Sequence, residues 1–124
     1  MSTYQNKGDH LFVEINEPYS LKLLISNIHA VADHCRKENL NKVLVDIRKM
    51  EGNPSIFDRF QLGMEIFKAW GTRIKVAVVA KPSLINRMAE NTAVNRGAKV
   101  KAFSEMKDAM EWLGVEFNNQ TTGV

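Results

Sequence analysis

The sequence predicts an α/β fold, with helices on one or both faces of a mixed sheet whose later strands are parallel. Short apolar runs, such as KVLVDI at 42–47 and IKVAVVA at 74–80, are typical of buried strands. Longer segments with the 3.6-residue period of amphipathic helices lie between them. No linker divides the 124 residues into two domains, so we expect one domain with right-handed crossovers between its parallel strands.

The first two elements are short strands at 2–7 and 10–16, and Gly8 between them is suited to a tight turn. Pro18 then prevents the second strand from continuing. Ser20 can cap a following helix, because its hydroxyl can accept a bond from a free backbone N–H.

The first helix is predicted over 21–38. Its apolar residues recur three and four positions apart and share one stripe: Leu21, Leu24, Ile25, Ile28, Val31, Ala32 and Cys35. We expect this helix to end near Asn39. As the one cysteine of the chain, Cys35 excludes an internal disulfide, and on this stripe it would be a buried, inert thiol.

The later elements alternate between strands and helices, and each helix is followed by a glycine, Gly71, Gly97 or Gly114. The predicted strands are 42–47, 74–80 and 98–103, and the predicted helices are 56–70, about 84–96 and one from Ser104 to Leu113. Alternating lysines favour an edge position for the last strand. The inward side of the third helix would be Ile85, Met88, Ala89, Thr92 and Ala93.

Three predicted strand-to-helix junctions carry a serine where a helix begins, at Ser55, Ser83 and Ser104. One interpretation is helix capping alone. The other is that the three helix N-termini converge on one rim and favour an anion or a polar head group. Three cations would add to that potential: Arg59, Lys81 and Arg87. No glycine-rich phosphate loop is present, so a nucleotide is not predicted.

The second helix has a broader apolar surface than one sheet face requires. One set of its residues should cover the sheet: Ile56, Phe57, Phe60, Met64, Phe67 and Trp70. A further strip contains Leu62, Ile66 and Ala69. That strip would be buried within the domain, against a second subunit, against a lipid or in a ligand cavity.

The charge pattern and hydropathy exclude several classes of protein. The net charge is +3, but Lys and Arg are scattered among acids, which argues against nucleic-acid binding. No apolar run approaches the roughly 20 residues needed to span a bilayer, and the N-terminus lacks a signal-peptide core. We therefore expect a cytoplasmic protein.

Catalytic and metal-binding patterns are weak. The three histidines, His10, His29 and His34, do not have metal-ligand spacing. Asp46 ends a strand, where it could act as an acid or base, but pairing with Arg48 explains it better. Asp58 and Ser55 resemble a capping box. We expect no cofactor, no metal and no enzymatic activity.

Five segments in this order resemble the STAS-type fold, and more narrowly the stage II sporulation protein AA-like (SpoIIAA-like) bacterial family. They are KVLVDIRKMEG, FDRFQLG, KVAVVA, ENTAVNRGAKVKAF and DAMEWL. The resemblance covers about residues 8–114. It implies a sheet of four or five strands with four helices, in a non-catalytic binding or regulatory domain spanning 1–114, with a flexible tail at 115–124.

The resemblance also implies two alternative functions. Anti-sigma factor antagonists carry a phosphorylatable serine after aspartate at the start of this helix, but here Asp58 precedes Arg59, and Ser55 is the nearest substitute phosphosite. The SpoIIAA-like branch is linked instead to small apolar ligands and membrane surfaces. We expect an apolar or amphipathic ligand, a lipid or a membrane to contact Phe57, Arg59, Phe60, Met64, Phe67 and Trp70. A regulatory protein as partner, or a homodimer, is the alternative.

Overall fold

The computed structural model describes residues 2–85 and 88–115. In chain order its elements are β1 (Ser2–Asn6), β2 (Leu11–Ile15), α1 (Leu21–Glu38), β3 (Lys42–Asp46), α2 (Ile56–Trp70), β4 (Lys75–Val79), α3 (Met88–Val94), β5 (Lys99–Phe103) and α4 (Met106–Leu113). The predicted bounds of α1 and α2 are confirmed. Most of the predicted tail, residues 116–124, lies outside the described residues.

The five strands form one sheet in the order β1-β2-β3-β4-β5. β1 and β2 are antiparallel, and each later neighbouring pair is parallel. The β1–β2 turn closes through a 2.9 Å bond from the Lys7 N–H to the His10 carbonyl, with Gly8 at a φ of 94°. The predicted mixed sheet with parallel later strands is confirmed, and β5, with exposed Lys99 and Lys101, is an edge strand as expected.

The first two helices begin with serine caps. The Ser20 hydroxyl accepts from Leu23 N–H at 3.2 Å, and the Ser55 hydroxyl accepts from Asp58 N–H at 3.1 Å. α1 is followed by Asn39 in the left-handed region, with a φ of 57°. These caps fix where α1 and α2 start.

The third helix is shorter than predicted. A 3₁₀ turn at Pro82–Leu84 comes first, and α3 begins only at Met88. Ile85 has extended backbone angles, so a helix cannot run through it from residue 84. Thr92 and Ala93 are buried as predicted and Ile85 is partly buried, whereas the side chains of Met88 and Ala89 lie outside the described part of the structure.

The sheet is covered on both faces, but unequally. α1, α2 and α3 share a core with one face, which presents Val13, Val45, Val76 and Val100. The opposite face, including Leu44, Ala77 and Val79, packs against α4. We call these the three-helix face and the α4 face.

Candidate functional site: a cavity under the second helix

A cavity of about 170 Å³ lies between the three-helix face of the sheet and its helices. Its floor consists of Val13, Val45, Val78 and Val100, one from each of β2 to β5. Parallel register places Val13 opposite Val45 and Val45 opposite Val78, so these three valines form a continuous apolar row, and Val78 is followed by Ala102 on β5. α1 adds a side wall that includes Ile28 and Val31.

α2 covers the cavity with Leu62, Ile66 and Trp70, which recur every four residues along one side of the helix. The Trp70 indole N–H donates to the Ile28 carbonyl at 2.9 Å and so ties the end of α2 to α1. Leu62 and Ile66 were predicted to form a further strip beside the face that covers the sheet, with burial in the domain or in a ligand cavity among its possible positions. They instead belong to the face that covers the sheet, together with Trp70.

Of the six residues that were predicted to cover the sheet, only Trp70 does so, and the other five lie outside that face. Ile56 is 67% exposed, Phe57 86% and Phe60 47%, while Met64 and Phe67 are partly buried. We call these five residues the outer strip. The prediction was wrong because α2 is apolar around most of its circumference, and helical periodicity alone does not say which of two apolar strips faces the core.

Of the six predicted ligand-binding residues, Arg59 and Trp70 line the cavity. Phe57, Phe60, Met64 and Phe67 do not line it, and the Arg96 guanidinium lies 5.9 Å from the centre of the Phe60 ring.

Arg59 is buried at the start of α2, with only 8% of its surface exposed. Its Nε donates to the Pro54 carbonyl at 3.3 Å and its Nη1 donates to the Leu84 carbonyl at 3.0 Å. Neither acceptor carries a charge. Within residues 2–85 and 88–115, no carboxylate forms an ion pair with this guanidinium. The cavity wall therefore holds a positive charge that the described chain does not neutralise.

Tyr19 and the loop before α2 close the same end of the cavity. The Tyr19 hydroxyl donates to Asp58 Oδ2 at 2.7 Å, and burial together with that carboxylate raises the pKa of Tyr19. The Tyr19 N–H donates to the Glu51 carbonyl at 2.7 Å, and Lys81 Nζ lies 2.6 Å from Glu51 Oε2. The Asp58 carboxylate thus bonds Tyr19, and only the Ser55 half of the predicted capping box is observed.

Only one of the three serines that were predicted to cap a helix does so. Ser55 caps α2. Ser83 lies inside the 3₁₀ turn and is exposed, and α4 starts after Glu105, with no side-chain bond at its cap. The prediction that Ser83 and Ser104 each cap a helix was wrong, because each of those helices begins later than the sequence indicates. Arg87, expected near this rim, lies outside the described residues.

Polar residues that the sequence analysis did not single out also line the cavity. Asn27 is buried on the apolar stripe of α1, accepts from the Tyr4 hydroxyl and donates to the Leu23 carbonyl at 2.9 Å. The sequence could have indicated Asn27, because it is a polar residue among the apolar residues on the buried side of α1. Glu90 also lines the cavity, and its Oε1 accepts from the Ala102 N–H at 2.9 Å.

Away from the cavity, the remaining reactive groups have structural partners. Arg48 binds Asp46 with two side-chain bonds of 3.0 and 2.9 Å, which confirms the predicted pairing. Burial acts to raise the pKa of Asp46, but the bonds and charge of Arg48 outweigh it and hold that pKa below its usual value. Burial raises the pKa of Cys35 to about 11. The described residues contain no cluster that could hold a metal ion.

Comparison with known proteins agrees with the architecture. An anti-sigma factor antagonist from Mycobacterium paratuberculosis superposes with a TM-score of 0.63 at 14% identity, covering 92% of this chain and 93% of that one. An uncharacterised protein with a SpoIIAA-like fold from Shewanella loihica PV-4 gives a TM-score of 0.50 at 17% identity, covering 91% and 92%. No functionally curated protein matches the chain.

The architecture is therefore that of a STAS-type α/β domain. More narrowly, the chain belongs to the SpoIIAA-like family, whose model matches residues 12–114. Both predictions are confirmed. Among the described helices, none is long and apolar enough to cross a membrane.

Proposed function

We propose that this protein is a non-catalytic binding module that holds an apolar or amphipathic small molecule in the cavity under α2. The observation that supports it is the cavity itself, about 170 Å³ lined mainly by valine, leucine, isoleucine and tryptophan side chains. An engineered apolar cavity of roughly 150 Å³ stays dry and binds benzene. This one has room for a group of similar size.

The composition of the wall favours an organic ligand over water. A buried water needs two to four polar partners, and the floor valines supply none. The polar atoms of Tyr19 and Asn27 already bond other groups of the protein, which leaves the unused donors of Arg59 as a polar spot on an otherwise apolar wall. An apolar guest would restore the van der Waals contacts that the void leaves unmade.

The test uses NMR signals of the two indole N–H groups during titration with 1-hexanol and with benzene. Trp70 lines the cavity, whereas Trp112 packs on the α4 face and is an internal control. We expect saturable shifts of the Trp70 signal and a stationary Trp112 signal. In an Ala80→Leu variant, whose side chain would fill part of the cavity, the Trp70 shifts should disappear, and in Phe57→Ser they should persist. No saturable shift with either probe would contradict the proposal.

The outer strip favours a second candidate, a regulator that docks on another protein. Phe57 and Ile56 are among the most exposed large apolar side chains of the described residues, and such surfaces often mark interaction sites. The fold shared with an anti-sigma factor antagonist points the same way. Ser55 beside this strip is exposed, so a kinase could reach its hydroxyl.

Affinity capture with the purified protein tests this candidate, with Phe57→Ser as the variant that should lose the partner. Ser55→Asp and Ser55→Ala should then differ in partner binding, because only aspartate mimics a charged phosphoserine. If both bind like the parent, Ser55 is not a switch. Flotation of the protein with lipid vesicles would identify the outer strip as a membrane contact, and sedimentation would identify a second copy.

A further inference from the structure

We infer that the ligand of this cavity is an anionic amphiphile, whose carboxylate or phosphate monoester pairs with Arg59 while a chain of about six carbons fills the apolar space. This rests on the proposed function and adds the chemical class of the ligand. It follows from the burial of Arg59, from its remaining donors and from the size of the cavity.

The first step is the unneutralised charge. Burying a cation without a counter-ion is strongly unfavourable, and buried arginines are normally paired. Arg59 is 8% exposed and bonds two backbone carbonyls, those of Pro54 and Leu84. Partial negative charges on carbonyls solvate a guanidinium but do not neutralise it. An anionic ligand would provide the missing charge.

The described acids near this end are occupied elsewhere. Asp58 accepts from Tyr19, and Glu51 is bound by Lys81. Glu90 also lines the cavity, but its Oε1 accepts from the Ala102 N–H, and it forms no ion pair with Arg59. A chain with an anionic head is therefore the complementary ligand for Arg59, and a cationic head on the same chain is the competing ligand in the test.

The second step is geometric. A guanidinium has five N–H donors in a planar fork that suits a two-oxygen anion. Arg59 uses one donor on Nε and one on Nη1, and Nη2 has no acceptor among the described residues. Because Arg59 is in the first turn of the 15-residue helix α2, the positive end of the helix dipole adds to its potential.

The third step is size. With about 170 Å³ the cavity exceeds the roughly 150 Å³ that accommodates benzene. A six-carbon chain therefore fits without displacing α2. The ligand series that tests the inference has that chain in common: hexanoate, hexyl phosphate, 1-hexanol and hexylammonium. Acetate tests the head group alone.

We expect hexanoate or hexyl phosphate to bind at least about tenfold more tightly than 1-hexanol, since a hydrogen bond to a charged group contributes about 1.5 kcal/mol or more, which is that factor. Hexylammonium and acetate should bind more weakly still. Calorimetry gives the dissociation constants, and the Trp70 indole signal confirms where each ligand sits. The tighter of the two anions identifies the head group.

Arg59→Met should abolish the preference for the anions while leaving 1-hexanol binding within about twofold, because methionine keeps the apolar contacts but not the charge. Arg59→Lys should retain part of the preference. The matched control is Arg73→Met, which removes the same charge from an exposed position after α2. If Arg59→Met fails to fold, the ligand series on the parent protein still decides the matter.

Equal binding of hexanoate and 1-hexanol, or tighter binding of hexylammonium, would overturn the inference and leave the proposed function standing. Tight binding of acetate would also overturn it, because the chain would then be unnecessary. If no member of the series moves the Trp70 signal, the proposed function itself fails.

Discussion

The two faces of the sheet are packed in different ways. On the α4 face, Leu44 and Val79 pack against Leu113, and all of these are at most 2% exposed. Two lysines at this face donate hydrogen bonds to backbone carbonyls at the end of α4. Lys42 Nζ donates to the Gly114 carbonyl at 3.0 Å, and Lys75 Nζ donates to the Trp112 carbonyl at 2.7 Å. Positive charge near a helix C-terminus stabilises it, so these charges hold α4 in place.

The three-helix face instead combines an apolar cavity with a buried cation. Arg59 bonds the carbonyls of Pro54 and of Leu84, the last residue of the 3₁₀ turn, and pairs with no described carboxylate. Both features lower stability unless something fills the space and neutralises the charge. The contrast fits a division in which α4 stabilises the fold, whereas α2 is less stably packed at the proposed binding site. The following predictions test that division.

The largest expected effect is on the α4 face. Leu113→Ala should lower the free energy of unfolding by about 3 kcal/mol, because it opens a new void where packing is closed. Leu62→Ala should lower it by about 2 kcal/mol, since Leu62 already borders the unfilled space of the cavity on one side. Urea unfolding measures both. A larger loss for Leu62→Ala would contradict the proposed difference between the faces.

A smaller effect is expected from adding a methylene group at two neighbouring valines of β4. Val79→Ile, on the α4 face, should lower the free energy of unfolding by about 1 kcal/mol through overpacking. Val78 lines the cavity, so Val78→Ile should leave stability unchanged or raise it slightly. Thermal unfolding of the two variants gives the comparison. Equal losses would mean that the cavity has no spare volume in solution.

The next prediction compares a paired arginine with an unpaired one. Arg48→Met should lower the free energy of unfolding by about 1 kcal/mol at neutral pH, because it removes the partner of Asp46. Arg59→Met should change it by less than about 0.5 kcal/mol, because relief of the buried charge offsets two lost hydrogen bonds. Urea unfolding of both variants at pH 7 measures the difference.

The sign of the pH dependence follows from Asp46. The pKa of Asp46 is lower in the folded state than in the unfolded state. Its contribution to stability is therefore complete above the unfolded-state pKa of about 3.9, and it is lost as the pH falls through the folded-state pKa. The gap between the parent and Arg48→Met should therefore shrink below about pH 4. A gap that stays constant down to pH 2 would show that Asp46 does not stabilise the fold through this pair.

Much of the fold could be predicted from local patterns. The helical period over 21–38 predicted both ends of α1, and the serine cap at Ser55 predicted the start of α2. Both signals depend only on residues that are close together in the sequence. α3 was predicted too long, because the apolar pattern continues through Ile85 whereas its backbone is extended.

The candidate site could be predicted only in part. The sequence analysis predicted ligand contacts on α2 and included Arg59 and Trp70 among them, and both line the cavity. It did not indicate that Leu62 and Ile66 would face inward while Phe57 faced outward, because that choice depends on how α2 packs against α1 and the sheet. Tyr19 was missed because its role depends on a contact with Asp58, 39 residues away.

The smallest expected effect is on the outer strip. Phe57→Ser should change the free energy of unfolding by less than about 0.5 kcal/mol, because the ring is 86% exposed and loses little packing. Ile66→Ser, on the inner side of the same helix and 9% exposed, is the matched control and should lower it by more than about 2 kcal/mol. Urea unfolding at several protein concentrations measures both. A loss above about 1 kcal/mol for Phe57→Ser that grows with concentration would show that a second copy covers the ring, and the outer strip would then be a dimer interface.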